Sequence, residues 1–66
     1  MDSITKAKIQ IAHWLKHSLS HIREYELFAS ELETAGKTES ARYIREMTGL
    51  IAQSNEKLEK ALKELD

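Results

Sequence analysis

Apolar residues recur at steps of three and four through two long stretches of the chain. In the first stretch they are Ile4, Ala7, Ile11, Leu15, Ile22, Ala29 and Leu32. In the second they are Ile44, Met47, Ile51, Leu58, Leu62 and Leu65, of which residues 44, 51, 58 and 65 are seven apart. Steps of this size place side chains on one face of an α-helix, and a spacing of seven is typical of a seam between two helices. The pattern predicts two long amphipathic helices.

One break separates the two stretches, in the segment ETAGKTES at residues 33–40. Gly36 is a strong helix terminator, because glycine adopts the left-handed conformation without steric cost. Ser3 and Thr38 are candidate caps for the two helices, because hydroxyl oxygens accept hydrogen bonds from the free amides at a helix start. We predict one domain at residues 1–66, with helix one at about 4–35 and helix two at about 39–65.

A connection this short makes the two helices antiparallel, so the predicted fold class is all-α, a two-helix hairpin. Folding the chain at Gly36 places residues whose numbers add to about 73 opposite each other. Ile22 then meets Ile51, and Ser18 falls opposite Asn55. The second pair predicts a polar layer midway along the seam. Such a layer lowers stability unless both side chains are hydrogen-bonded, and we interpret it as a device that fixes the helix register.

Several large apolar residues lie beside the seam, where a single hairpin leaves them uncovered. On a helical wheel of about 100° per residue they occupy one flank of each helix. They are Trp14, Tyr25, Phe28 and Leu32 on helix one, and Tyr43 and Leu50 on helix two. Exposed aromatic residues on one side of a protein usually mark an interface. We therefore predict a homodimer in which two hairpins form a four-helix bundle, since two-fold symmetry is the commonest closed arrangement.

Composition narrows the class of protein. The chain has 66 residues with neither cysteine nor proline, which excludes disulfides and thiolate metal sites and suits long helices. The formal net charge is −1 and the two signs are mixed along the chain, so no surface for nucleic acid is predicted. No long apolar run predicts a signal peptide or a membrane span, so we expect a cytoplasmic protein.

The three histidines of the chain form a ladder on helix one. His13, His17 and His21 are four residues apart, and Glu24 follows. Two imidazoles one helical turn apart can bind the same ion. Three in a row rise about 12 Å, so one ion cannot take all three from a straight helix. A complete site needs Glu24 or ligands from a dimer mate, and its nitrogen and oxygen donors suit zinc, nickel or cobalt.

Two other interpretations of the ladder stay open. The histidines lie on the flank that carries the aromatic residues, with His21 nearest the seam and His13 furthest from it. An imidazole at such a border packs one edge and exposes a nitrogen, which requires no ligand. Alternatively, the ladder is a pH switch, because protonation would place like charges along the interface.

The segments HWLKHSLSH, REYELFASELETAGKTESARYIREM and NEKLEKALKEL together resemble a short bacterial and archaeal domain of uncharacterised function. The resemblance covers residues from about 9 to 65, and members of that family show the motif H-W-x-x-H-N-x-x-H. His13, Trp14, His17 and His21 match this motif, whereas Ser18 stands where asparagine is usual. The resemblance implies a helical hairpin with a histidine motif and suggests transition-metal handling. It implies no reaction and no particular partner.

Three functional hypotheses follow from the sequence. The first is a small metal-binding accessory protein that holds zinc, nickel or cobalt through the histidine ladder. The second is a structural or protein-interaction dimer, with itself or an unknown protein partner, whose histidines only line the interface. An enzyme is not predicted, because the chain has no long loops that could form a pocket.

Overall fold

The computed structural model describes residues 2–66 and contains two long helices packed side by side. Helix α1 runs from Ser3 to Thr34 and helix α2 from Thr38 to Lys63. Ion pairs join the two helical arms at both ends. Arg45 pairs with Glu33 beside the loop, and the Lys8 Nζ lies 2.8 Å from a carboxylate oxygen of Asp66 at the open end. The predicted all-α antiparallel hairpin is therefore confirmed.

Asp2, and not Ser3, caps the start of α1. The Asp2 Oδ1 accepts a hydrogen bond of 2.7 Å from the backbone N–H of Thr5, and Ser3 is already the first helical residue. This hydrogen bond to the Thr5 amide lowers the pKa of the Asp2 carboxyl below its ordinary value. The sequence prediction was wrong by one residue because two good capping residues stand next to each other, and the carboxylate takes the position.

Gly36 ends α1 as predicted, through a hydrogen-bonded turn. Its φ angle is +83°, in the left-handed region that side chains disfavour. The Lys37 N–H donates to the Leu32 carbonyl over 2.8 Å, and the Gly36 N–H donates to the Glu33 carbonyl over 3.0 Å. These two bonds form the Schellman arrangement, which satisfies carbonyl groups that the helix end leaves free.

The predicted cap of α2 at Thr38 is also wrong. Lys37 occupies the cap position and makes no side-chain capping bond, while Thr38 is the first helical residue. Ion pairs are present in the first turns of this helix instead. The Arg42 guanidinium pairs with Glu39 over 2.7 Å and with Glu46 over 2.8 Å. The hydrogen bond to Glu39 is the main reason that the pKa of Arg42 is raised. These contacts link successive turns at the loop end of α2.

The seam between the helices is tightest where the side chains are small. Ala29 and Ala41 are fully buried, and the next most buried residues are Thr48 and Asn55. The larger seam residues are only half-buried. The periodicity also placed Ile4 in the seam, and this was wrong, since its side chain is 49% exposed. The two helices therefore approach each other closely but enclose little apolar volume.

The hairpin is a slab only one helix thick. It measures 51 by 17 by 10 Å, and no large side chain among the described residues is fully buried. Stable domains normally place two layers of secondary structure around a core. A single layer of two helices leaves one broad surface on each side, and the candidate site lies on one of them.

Candidate functional site

The three histidines and Tyr25 form a column of rings along α1. The ring centroids of His13 and His17 are 5.9 Å apart in an edge-on arrangement, and those of His17 and His21 are 4.6 Å apart with a tilt of 21°. His21 and Tyr25 stack at 5.9 Å. The column follows from the helix itself, since residues four apart lie one above the other on one face. We call it the histidine column.

The histidine column crosses from the seam to the exposed border of α1. His21 is half-buried, whereas His17 and His13 are exposed. The burial of His21 agrees with the helical wheel, which places it nearest the seam; the predicted ranking of His17 before His13 stays a prediction. His17 and His21 share an open cleft of about 270 Å³ with four residues, Trp14, Ser18, Tyr25 and Ile51. His13 adjoins Lys16 and Ser20 further round the helix, in a second cleft that His17 also lines. His17 therefore borders both clefts, whereas His21 borders only the first and His13 only the second.

Glu24 lies beside one imidazole of the column. Its Oε2 is 3.6 Å from the Nδ1 of His21, one helical turn away, and both side chains are about half exposed or more. This separation exceeds hydrogen-bonding distance, so the two groups are neighbours without a hydrogen bond in one hairpin. A carboxylate that hydrogen-bonds to the Nδ1 of a histidine leaves Nε2 available for another group, and this supporting role is an alternative to the predicted role of Glu24 as a metal ligand.

One hairpin does not bring the predicted metal ligands together around a common point. Within residues 2–66, no group of three or more histidine, aspartate or glutamate side chains could hold a metal ion. The His17 and His21 rings also lie nearly parallel at 4.6 Å, so their in-plane lone pairs lie in two nearly parallel planes and do not converge on one nearby point. One ring has to rotate before both can reach the same ion. Torsions of this kind are soft in histidine, so the rotation costs little.

The predicted interface residues form an exposed surface next to the histidine column. Exposed fractions are 51% for Trp14, 50% for Phe28, 61% for Tyr43 and 65% for Leu50, while Tyr25 and Leu32 are half-buried. We call these six residues the aromatic face. The Arg42 guanidinium carbon lies 4.4 Å from the centroid of the Tyr43 ring and covers part of it.

Charge distinguishes the aromatic face from the opposite side of the slab. On a wheel of about 100° per residue, the strip of α1 centred on Trp14 contains no lysine, arginine, aspartate or glutamate, whereas Glu39 and Lys57 border the strip of α2 that carries Tyr43 and Leu50. The opposite side carries charged residues on both helices, among them Lys16, Arg23 and Lys63. Depletion of charge at the centre of a patch is typical of a protein interface.

Comparison with known protein families identifies the family of the chain. A family model described as a domain of unknown function (DUF8180) matches residues 7–65. The chain belongs to the DUF8180 family. The match includes the whole histidine column and the aromatic face, and it agrees with the expected likeness to a small uncharacterised helical domain. Neither the curated proteins nor the solved structures provided a significant match.

The structure of this DUF8180 domain shows one feature that the sequence did not reveal. The Asn55 side chain is only 6% exposed, and its Nδ2 has no hydrogen-bond partner within residues 2–66. Ser18, the predicted partner in the polar layer, is half-buried. The register predicted the position of the layer but not the unpaired amide, because hydrogen bonding depends on side-chain torsions.

No helix of residues 2–66 is both long and apolar enough to cross a membrane.

Proposed function

We propose that this DUF8180 domain is a non-catalytic self-association module in which two hairpins pack their aromatic faces together as a four-helix bundle. One observation carries the proposal. The hairpin is a slab 10 Å thick in which no large side chain among the described residues is fully buried. Four large apolar residues of one face are half exposed or more, so a second layer has apolar surface available to bury.

A second copy has the right dimensions to supply that layer. The whole hairpin measures 51 by 17 Å, so a rectangle of about 870 Å² bounds one side of it and sets the upper limit of the contact area. Specific protein interfaces bury about 800 Å² on each partner. Two slabs stacked face to face give a cross-section of about 17 by 20 Å, in keeping with helices that pack 8–10 Å apart. An isologous contact also buries the same face on both copies, so the assembly closes at two chains.

Sedimentation equilibrium tests the proposal with two matched variants. Leu50 and Leu27 are both exposed leucines, at 65% and 69%, but Leu50 belongs to the aromatic face and Leu27 lies on the opposite side of α1. We expect the natural chain, of 7.6 kDa, to sediment at about 15 kDa. Leu50→Glu buries an unpaired charge in the interface and should weaken dimerisation at least about tenfold. Leu27→Glu should sediment like the natural chain.

Two results would contradict self-association. A natural chain that sediments as a helical monomer at tens of micromolar excludes a stable homodimer. Equal weakening by the two glutamate substitutions would show that the aromatic face is not the contact surface. The finer features expected from the sequence, namely the histidine motif as a family property, a bacterial or archaeal origin and a cytoplasmic location, remain predictions.

A further inference from the structure

The histidine column lies at the middle of α1. The helix runs from residue 3 to residue 34, so its midpoint falls just after residue 18, between His17 and His21. A two-fold axis that crosses the hairpin at this level packs α1 against α1 of the second copy in the opposite direction. Residues whose numbers add to about 37 then face each other across the axis. The loops of the two hairpins lie at opposite ends of the bundle.

The exposed border of α1 has a charge pattern that matches this antiparallel pairing. Lys6, His13, Glu24 and Glu31 lie on the same border of the helical wheel, at about 220–240°. The pairing places Lys6 opposite Glu31 of the second copy and His13 opposite Glu24 of the second copy, and each pair occurs twice by symmetry. An opposite-charge pair of lysine and glutamate therefore forms in each half of the contact, and the His13 imidazole lies within reach of a carboxylate. Packing with both loops at one end instead sets α1 against α2, which has no histidine.

We infer that a divalent transition-metal ion binds on the two-fold axis of this dimer through His17 and His21 of both copies. This inference rests on the proposed self-association. Two helices that cross at about 20° are closest to each other where the two-fold axis passes between them. The axis passes at the midpoint of α1, so only residues near this midpoint can share an ion. At this level His17 faces His21 of the second copy, and His21 faces His17 of the second copy. The two pairs together place four imidazoles around one point.

His13 and Glu24 lie near this site but are not ligands of the ion. His13 lies a full turn beyond His17 with its ring centroid 5.9 Å away, and it is too far from the axis to reach the same ion. Glu24 is a positioning residue, because its carboxylate lies beside the Nδ1 of His21, and a hydrogen bond between them leaves Nε2 for the metal. Four nitrogen ligands in a tetrahedral arrangement suit zinc or cobalt, whereas calcium and magnesium prefer oxygen.

Calorimetric titration of the metal-free dimer with zinc, with cobalt as a spectroscopic probe of tetrahedral geometry, tests the inference. We expect one ion per two chains. The double variant His17→Ala, His21→Ala should lose binding, whereas His13→Ala, measured at a concentration where it is dimeric, should keep one ion per two chains because His13 is not a ligand. Glu24→Gln should bind roughly 10–100-fold more weakly, as is usual when an orienting group of a ligand is lost. Circular dichroism checks that each variant keeps its helices.

The monomeric variant Leu50→Glu separates a shared site from a site on one chain. It retains every histidine, so a shared site predicts that its zinc binding is lost along with dimerisation. A natural dimer that binds no zinc, or that binds one ion per chain, overturns the inference and leaves self-association intact. Full zinc binding by Leu50→Glu, or equal loss of binding in His13→Ala and in the double variant, also overturns it. A natural chain that stays monomeric with and without zinc overturns both proposals.

Discussion

Replacing Asn55 by valine should stabilise the protein. The Asn55 side chain is 6% exposed, and its Nδ2 is buried without an acceptor. An unpaired buried donor of this kind costs about 1–3 kcal/mol, because folding removes its hydrogen bonds to water and replaces none of them. Valine has nearly the same helix propensity as asparagine, so that contribution cancels. Asn55→Val should therefore raise the free energy of unfolding by about 1–3 kcal/mol per chain.

Thr48→Val is the matched control for this substitution. Thr48 precedes Asn55 by one heptad and is similarly buried at 8%, but its hydroxyl donates a hydrogen bond of 2.8 Å to the Arg45 carbonyl. Valine at this position removes a hydroxyl that already has a hydrogen-bond partner. Thr48→Val should therefore lower the free energy of unfolding by about 0.5–1.5 kcal/mol. Two substitutions that both create valine in the seam are thus expected to have opposite signs.

Urea unfolding monitored by circular dichroism measures both effects, at equal chain concentrations because association shifts apparent stability. For a domain of this size each kcal/mol corresponds to roughly 4–8 °C in Tm. Destabilisation by Asn55→Val would refute the reasoning, because it would show that the amide finds an acceptor in the assembled protein. If the polar layer fixes the register, the stabilised variant should also populate more than one oligomer on sedimentation.

Other predictions concern the ends and the turn of the hairpin. Gly36→Ala should lower stability by about 1–2 kcal/mol, because φ is +83° there. Gly49→Ala should raise it by about 0.5–1 kcal/mol, since the added methyl group meets only open space; thermal melts of both variants check the opposite signs. The folded-state pKa values of Asp2 and Glu33 are lowered, so their contributions to stability are present above their ordinary values of 3.8 and 4.5 and are lost as pH falls through the folded values. Asp2→Ala should flatten the loss of stability below about pH 3.8 in an acid titration, whereas an acid transition as steep as that of the natural chain would show that the cap does not contribute.

The helices and the turn were predictable because their causes are local. The three- and four-residue steps determine each helix, and Gly36 determines the turn through its own backbone freedom. The caps were missed because Asp2 and Ser3 are adjacent residues of similar capping strength, so the sequence alone does not decide between them. For α2, the loop bonds leave Lys37 in the cap position, and no residue signal indicates this.

The centre of the seam was harder to predict, because a hydrophobic pattern gives most weight to large residues. The heptad of Ile44 and Ile51 marks the correct side of α2, but the most buried positions of this helix are Ala41, Thr48 and Asn55. Small side chains allow the backbones to come together, and large ones then lie at the edges. The same reasoning explains why apolar surface remains exposed on the aromatic face.

The histidine column was predictable in position but not in geometry. The spacing of four places His13, His17 and His21 on one strip, and the wheel ranks them by distance from the seam. The stacking of the rings and the approach of Glu24 to His21 depend on soft side-chain torsions that sequence periodicity does not encode. Whether imidazoles of two copies converge depends on the way the hairpins assemble.

A spin-label distance across the assembled protein tests that assembly most directly. A single cysteine at Lys37, in the exposed loop, carries the label, and the chain has no other cysteine to interfere. Two hairpins packed face to face with their loops at opposite ends predict one distance near the full length of the slab, about 50 Å. A distance well below half that length, or no dipolar coupling between labels at tens of micromolar, would contradict the arrangement.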